Sequence, residues 1–391
     1  VSLHLDKSTW KRVAFGDMIE SVTVRVDDPS AAGVDRYVGL EHLDPGVMTV
    51  QRWDSPDKVE AQKLRFQPAD VIFGRRRAYQ KKVARADFEG ICSAHALVLR
   101  ARPEVMRPDF LPVFLSSDYF LDRAIAISVG SLSPTVNWRD LRGQEFLLPT
   151  DLDEQQRIAD LFWAIEQECR SLASLRSALG VTRDAVIDER FIHRGDAALQ
   201  DLCDVDGIRI GPFGSDLHAS DYVADGECPV VMPQDMVDGS ISTSNIQRIS
   251  GSRADELAVH RLQAGDILLP RRGELDRRAL VTEKEAGWLC GTGSVRVRLA
   301  PGVPVRAVFL AISSGATVKW LRDHATGTTM PNLNAGIVAK IPVTIPAEDV
   351  LRKGLAEIDQ VEAALTYVLE RISAASALKA GAFAQIFGGM E

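Results

Sequence analysis

Cysteine, aromatic side chains and long apolar runs are all scarce in this chain, and each scarcity excludes something. The five cysteines (Cys92, Cys169, Cys203, Cys228, Cys290) are odd in number, scattered, and never spaced as CxxC. That pattern speaks against a disulfide framework or a zinc site and for reduced thiols. Cys92 and Cys290 each precede an apolar alternation and are expected in the core, where free cysteine is usually found. Aromatics make up only 6% of the 391 residues and form no ladder, which disfavours single-strand binding by base stacking. No stretch approaches the ~18–20 apolar residues of a membrane helix. The segment Val1 to Trp10 lacks the basic and apolar regions of a signal peptide, so a cytoplasmic location is the expectation.

Signature motifs of catalysis are missing too. There is no GxGxxG after a strand, no GxxxxGK[ST], no HExxH and no GxSxG. The Asn-Pro-Pro-aromatic motif of amino-methyltransferases is also absent. Neither intrinsic catalysis nor a metal is expected of this chain.

What the chain does have is a duplication. Phe66-Gln67-Pro68-Ala69-Asp70-Val71-Ile72-Phe73-Gly74-Arg75-Arg76-Arg77 returns as Leu262-Gln263-Ala264-Gly265-Asp266-Ile267-Leu268-Leu269-Pro270-Arg271-Arg272-Gly273. Gly90 to Ser93 returns as Trp288 to Gly291, Gly130 to Asn137 as Gly327 to Asn334, and Phe146 to Pro149 as Val343 to Pro346. The order is kept, and the unit is far larger than the ~20–50 residues of a solenoid repeat. It has the size of a domain. Short β-rich runs (Val22–Val26, Tyr37–Leu40, Val71–Phe73, Ala96–Leu99) and helices near Phe110–Ser116 and Tyr119–Ile127 give the first half a mixed α/β character. The second half repeats it with Cys228–Val231, Asp266–Leu269, Ser294–Arg298 and a helix near Ala307–Ser313.

A long helix is predicted after each copy. In the first, Ile158, Ile165, Leu172, Leu179 and Val186 recur at heptad spacing, with Leu161 and Leu175 as the second row and Asp151 or Asp153 as cap. In the second, Ile358, Leu365 and Ile372 form one row, Leu355 and Leu369 the other. Glu168, Thr182, Glu362 and Ser376 interrupt the seams, as register-setting polar residues do. Amphipathic helices packed on their own domains are the plainer alternative. Near 35 residues, each would exceed the ~10–14-residue norm and span ~50 Å.

Charge distribution points to a polyanion. The formal net charge is −8, yet Lys63 to Arg107 carries eleven Lys or Arg against four acids. Arg75, Arg76 and Arg77, with Lys81 beyond them, follow a buried strand; Arg271 and Arg272 follow its repeat. Arginine binds phosphate or reads guanine bidentately in the major groove; a solvated charge cluster is the alternative. Ser133 and Asn137 in one copy, and Thr328 and Asn332 in the other, lie on Gly-started loops that suit base edges or a local turn. Phe213 and Ser215 belong to Gly211-Pro212-Phe213-Gly214-Ser215, a tight turn suited to a phosphate or groove, or a purely structural one.

Taken together, the chain resembles the specificity subunit of Type I restriction–modification systems. Trp10-Lys11-Arg12-Val13, the Gly211–Ser215 loop, Glu154-Gln155-Gln156-Arg157-Ile158-Ala159 and the Pro149 and Pro346 boundaries carry the likeness, across nearly the whole chain. The second helix departs from it, opening on Glu348-Asp349-Val350-Leu351-Arg352-Lys353. The resemblance implies an α/β (α+β) chain with pseudo-two-fold organisation. Target-recognition domains at 1–150 and 196–346 would be separated by spacer helices at 151–195 and 347–391, packed as an antiparallel coiled coil. It further implies that each domain reads one part of a split double-stranded DNA target, with the helices setting the gap. Two copies of an adenine-N6 methyltransferase, holding S-adenosylmethionine, would dock near Glu154, Gln155, Arg157 and Ile158. A nuclease–translocase subunit can join, and this chain would bind no cofactor itself. Two rivals remain: a self-contained duplicated nuclease, and a scaffold without sequence-specific DNA binding.

Overall fold

The computed structural model describes residues 6–191, 197–327 and 331–389. The chain divides into two compact units, Val1–Leu175 with Val368–Glu391, and Arg176–Tyr367. Each unit owns a stretch of both long helices, Leu152–Arg190 and Glu348–Phe387.

Unit one is built on an antiparallel sheet in which Leu97–Ala101 lies between Ile19–Val22 and Val71–Phe73, with Val83–Arg85 at the edge. A second sheet joins Arg25–Val26, Lys63–Phe66, Gly90–Ser93 and Tyr37–Val38, the last pair parallel. The predicted Val22–Val26 strand is thus broken, one end serving each sheet. Unit two repeats the first sheet with Cys203–Ile210, Ser294–Leu299, Ile267–Pro270 and Ala279–Leu280 in the same order. Its second sheet again sets a parallel pair, Cys228–Val231 with Leu289–Cys290, beside an antiparallel neighbour, Gln247–Ile249.

The duplicated turn before the central strand shows why these segments fold alike. Asp70 is 1% exposed and accepts from Arg100 Nε at 2.7 Å, Arg100 Nη2 at 2.8 Å and the Gln67 amide at 2.8 Å. Asp266, equally buried, accepts from Arg298 Nε and Nη2, both at 2.7 Å, and from the Gln263 amide at 2.8 Å. A buried carboxylate is tolerated only when its oxygens are satisfied in this way. The preceding residue takes a left-handed conformation in both copies, Ala69 at φ 73° and Gly265 at φ 88°; glycine does this freely, alanine at some cost.

Helix pairs are capped identically. Ser117 Oγ accepts from the Phe120 amide at 3.3 Å, and Ser314 Oγ from the Thr317 amide at 3.2 Å. Each serine ends one helix (Leu111–Ser116; Val305–Ser313) and starts the next (Asp118–Ala126; Gly315–His324). Asp151 Oδ1 caps the first long helix through the Asp153 amide at 3.0 Å. Cys92 and Cys290 lie in the core as expected, and burial pushes the Cys290 thiol pKa up to about 12.

Within each unit the two long helices run antiparallel. Unit one pairs Glu166 with Lys379 and Glu168 with Arg371, each at 2.6 Å. Unit two pairs Arg190 with Glu357 at 3.0 Å and Arg183 with Glu362 at 3.6 Å. Lys379 occupies the same heptad row as Ile358, Leu365 and Ile372, and its partner Glu166 is 4% exposed at the side chain. That knot also reaches the domain: Glu166 Oε1 accepts from the Met48 amide at 2.9 Å, and Lys379 Nζ donates to the Gly46 carbonyl at 2.7 Å.

The first apolar row of each helix faces inward as predicted, but the second row lies one residue away from the expected one. Leu175 is 48% and Leu369 is 44% exposed, whereas Phe162, Cys169, Val368 and Ala375 turn inward. Heptad spacing alternates steps of three and four, so either neighbour of a seam residue fits the pattern. The domain core decides between them: Phe162 packs against Phe383 with ring centroids 4.2 Å apart, beside the cluster of Phe15, Phe114, Phe120 and Phe146. Further along, Ile187 replaces Val186 as the buried residue, the drift of a 3.6-residue helix against a seven-residue repeat.

Candidate nucleic-acid interface

In unit one the buried strand Val71–Phe73 delivers Arg75, Arg76 and Arg77 to a tip, where they pair with the polar loop before Asn137. The Arg77 amide donates to the Pro134 carbonyl at 2.7 Å, and the Val136 amide to the Arg75 carbonyl at 2.9 Å. Arg77 sits at φ 57°, a left-handed conformation that costs a non-glycine residue ~1–3 kcal/mol and is held by those bonds. Ser133 Oγ lies 3.4 Å from both Arg76 Nη2 and Arg77 Nε. Arg76 Nη1 lies 3.4 Å from His95 Nε2, and burial, followed by Arg76 and Arg75, holds the His95 imidazole below its ordinary pKa. Arg75 Nε is buried without a partner.

Two other candidates in this copy are engaged locally. Lys81 pairs with Asp118, and Asn137 stands at the start of the short helix Trp138–Leu141, its amide 3.4 Å from Asp140 Oδ2.

Unit two builds the same junction with different side chains. The Leu333 amide donates to the Arg271 carbonyl at 2.8 Å, and Asn332 bridges both Arg272 and Thr326 along the backbone. The Arg271 guanidinium stands 5.0 Å from the ring centre of Phe213, a cation–π arrangement. Arg271 Nε and Asn332 Oδ1 are both buried without partners. The Phe213 turn is fixed at its base, since a Cβ on Gly211 would meet the Gly291 carbonyl oxygen at 2.0 Å. At its top Asp216 Oδ2 accepts from the Phe213 amide at 3.2 Å. Ser215 is exposed, its hydroxyl 3.4 Å from Asp216 Oδ1. Thr328 lies outside the described residues.

Three segments that are separate in sequence therefore meet in unit two: the Phe213 turn, the Arg271–Arg272 tip and the Asn332 loop. In unit one two of the three meet, and the His95 imidazole stands beside the arginines where unit two has a phenyl ring. The arrangement offers cationic, forked donors and an amide next to a half-exposed ring, a set that can hold phosphates and base edges.

The expected docking face on the first helix needs correction. Glu154, Gln155 and Ile158 are buried in unit one rather than exposed. Glu154 Oε1 accepts from the Trp10 indole at 3.1 Å; Gln155 donates to the Val105 and Pro149 carbonyls and accepts from the Arg107 amide. The helix start is clamped onto its own domain, which leaves only Arg157 of the four exposed.

No family model matches the chain, and no curated protein matches it. Solved structures do. The S subunit of the Type I restriction–modification system from M. genitalium superposes with a TM-score of 0.60 at 14% identity, over 100% of this chain and 98% of that one. The fold is that of a Type I S subunit. A second structure, from work on complex assembly and conformational transition of the type I R-M system, gives a TM-score of 0.59 at 19% identity, covering 97% of this chain and 98% of its own. At such identities the likeness is one of backbone fold. Among the described residues, no helix is long and apolar enough to cross a membrane.

Proposed function

We propose that this chain is the sequence-specificity subunit of a Type I restriction–modification system, reading a split double-stranded DNA target with its two units. The observation that carries the reading is the duplicated tip, in which an arginine pair leaves a buried strand and is braced by a polar loop, on the fold of an S subunit. Two linked reading modules raise affinity through effective concentration, which suits a bipartite site. Arg271 or Arg272 can pair with guanine and Asn332 with adenine, while the unit-one arginines and Ser133 serve the other half.

On this reading the chain is not itself an enzyme and binds no cofactor. It positions two copies of an adenine-N6 methyltransferase, which bring S-adenosylmethionine, and a nuclease–translocase can join them in the cytoplasm. With Glu154, Gln155 and Ile158 committed to the core, the docking face we assign comprises Arg157 and the exposed apolar residues Leu175, Leu369 and Leu378.

The test is an exchange of residues 196–346 for the matching segment of another S subunit, followed by mapping of methylated adenines. One half of the recognised sequence should change and the other stay. If both halves change, or neither, the reading fails.

A further inference from the structure

Inside the sheet of unit two, two arginines stand where unit one has a pair of valines. The strand registers place Ile72 and Val22 on either side of Val98 in unit one, and Leu268 and Arg209 on either side of Arg296 in unit two. Val98 is fully buried, and Val22 packs against the same apolar cluster. Arg296 is 5% exposed. Like charges directly across a strand pair repel, and a buried guanidinium is normally matched by a carboxylate. Among the described residues no carboxylate forms an ion pair with Arg296. Arg296 donates to two carbonyls, those of Val259 at 3.1 Å and Asp206 at 3.3 Å. Asp266, the nearby buried acid, is taken up by Arg298. Arg209 has only the exposed Asp206 carboxylate, at 3.8 Å.

Three buried polar atoms in this place have no partner: Arg209 Nε, Arg296 Nε and His260 Nδ1. Burial first, then both guanidinium groups, hold the His260 pKa below the ordinary value, against the opposing charge of Asp216. Arg209 remains about one-third exposed, so the cluster opens to solvent. It also lies close to the proposed reading tip. Arg209 is followed directly by Ile210 and the Phe213 turn, and Arg296 is two residues from Ser294, which pairs with Pro270 just before Arg271.

We propose that Arg209, Arg296 and His260 form an oxyanion site in unit two that takes one backbone phosphate of the DNA. The assignment rests on the DNA-reading function for the source of the phosphate, but not for the existence of the site. Two donors of fixed geometry and an imidazole are complementary to a phosphate, which would compete with the exposed Asp206 carboxylate 3.8 Å from Arg209. The charge pair that disturbs the apolar interior then has a counterion when the protein is on DNA.

The experiment uses the full chain and the double variant Arg209→Val/Arg296→Val, which restores the pair found in unit one. Inorganic phosphate should raise the melting temperature of the wild type above that in chloride at equal ionic strength, and should fail to do so in the variant. On a fixed random-sequence duplex, the slope of log affinity against log salt should fall by about 0.9 in the variant, the value for one phosphate contact. If the double variant does not fold, Arg209→Gln, at the exposed end of the cluster, replaces it in both arms. No phosphate effect in the wild type would overturn the site. A phosphate effect with an unchanged salt slope would overturn the backbone phosphate as its occupant. A chain that binds no DNA at all would sink the functional reading, while the phosphate arm would still decide whether the site exists.

Discussion

The two arginine tips share a frame and differ in what fills it. Each begins at a buried aspartate clamped by an arginine, runs through a buried strand, and ends in a backbone junction with a polar loop. Around that junction unit one places His95 and Ser133, and unit two places Phe213 and Asn332. The frame uses main-chain bonds and one buried ion pair; the fillers are half-exposed side chains that the fold does not require. A scaffold of this kind keeps the position of the tip side chains constant while leaving their chemistry open to change.

The largest expected effect tests the shared frame. Asp70→Ala and Asp266→Ala each leave a guanidinium without its buried partner, which should cost about 3 kcal/mol, the low end for such pairs because the arginines are partly exposed. Urea unfolding of the full chain should show similar losses for the two variants. A loss in one unit alone would break the equivalence.

The next effect separates the fillers. Arg271→Ala/Arg272→Ala and Arg75→Ala/Arg76→Ala should each weaken binding to the recognised DNA, by ~1–3 kcal/mol for every bidentate base contact removed. Contacts to phosphate alone would weaken all sequences equally and lower the salt slope. Unchanged affinity and slope would reduce either tip to a solvated cluster.

The smallest effect belongs to Phe213. Its ring stands by Arg271 at an exposed site, so Phe213→Ala should weaken DNA binding by about 0.5–1 kcal/mol. Phe213→Leu keeps an apolar cover without the π face and should lose nearly as much. Wild-type affinity in the leucine variant would show that the ring acts only as a lid.

The duplication is legible in the bare chain because both copies need the same turn: Gln67 to Asp70 and Gln263 to Asp266 close identical hydrogen-bonded loops. The long helices are legible from one apolar row each. Their second rows are not, because spacing alone cannot tell whether Leu175 or a neighbour faces the domain. Glu154 and Gln155 read as an exposed helix start, since nothing local announces that Trp10, Val105 and Arg107 cover them. The Arg209–Arg296 pair is hidden for a similar reason. The alternation of Ser294 to Leu299 looks like a half-solvated strand, and only aligning Arg296 with Val98 reveals a charge where the first copy has core.

The Glu166–Lys379 knot has a consequence for how such a chain can diversify. It holds the loop of unit one through the Met48 amide and the Gly46 carbonyl, both main-chain atoms. Main-chain bonds are blind to side-chain identity, so the loop can drift in sequence as long as its turn survives. Gly46, at φ +79°, preserves that turn. The knot thus acts as a standard fitting for this loop, whose sequence can change without recutting that contact.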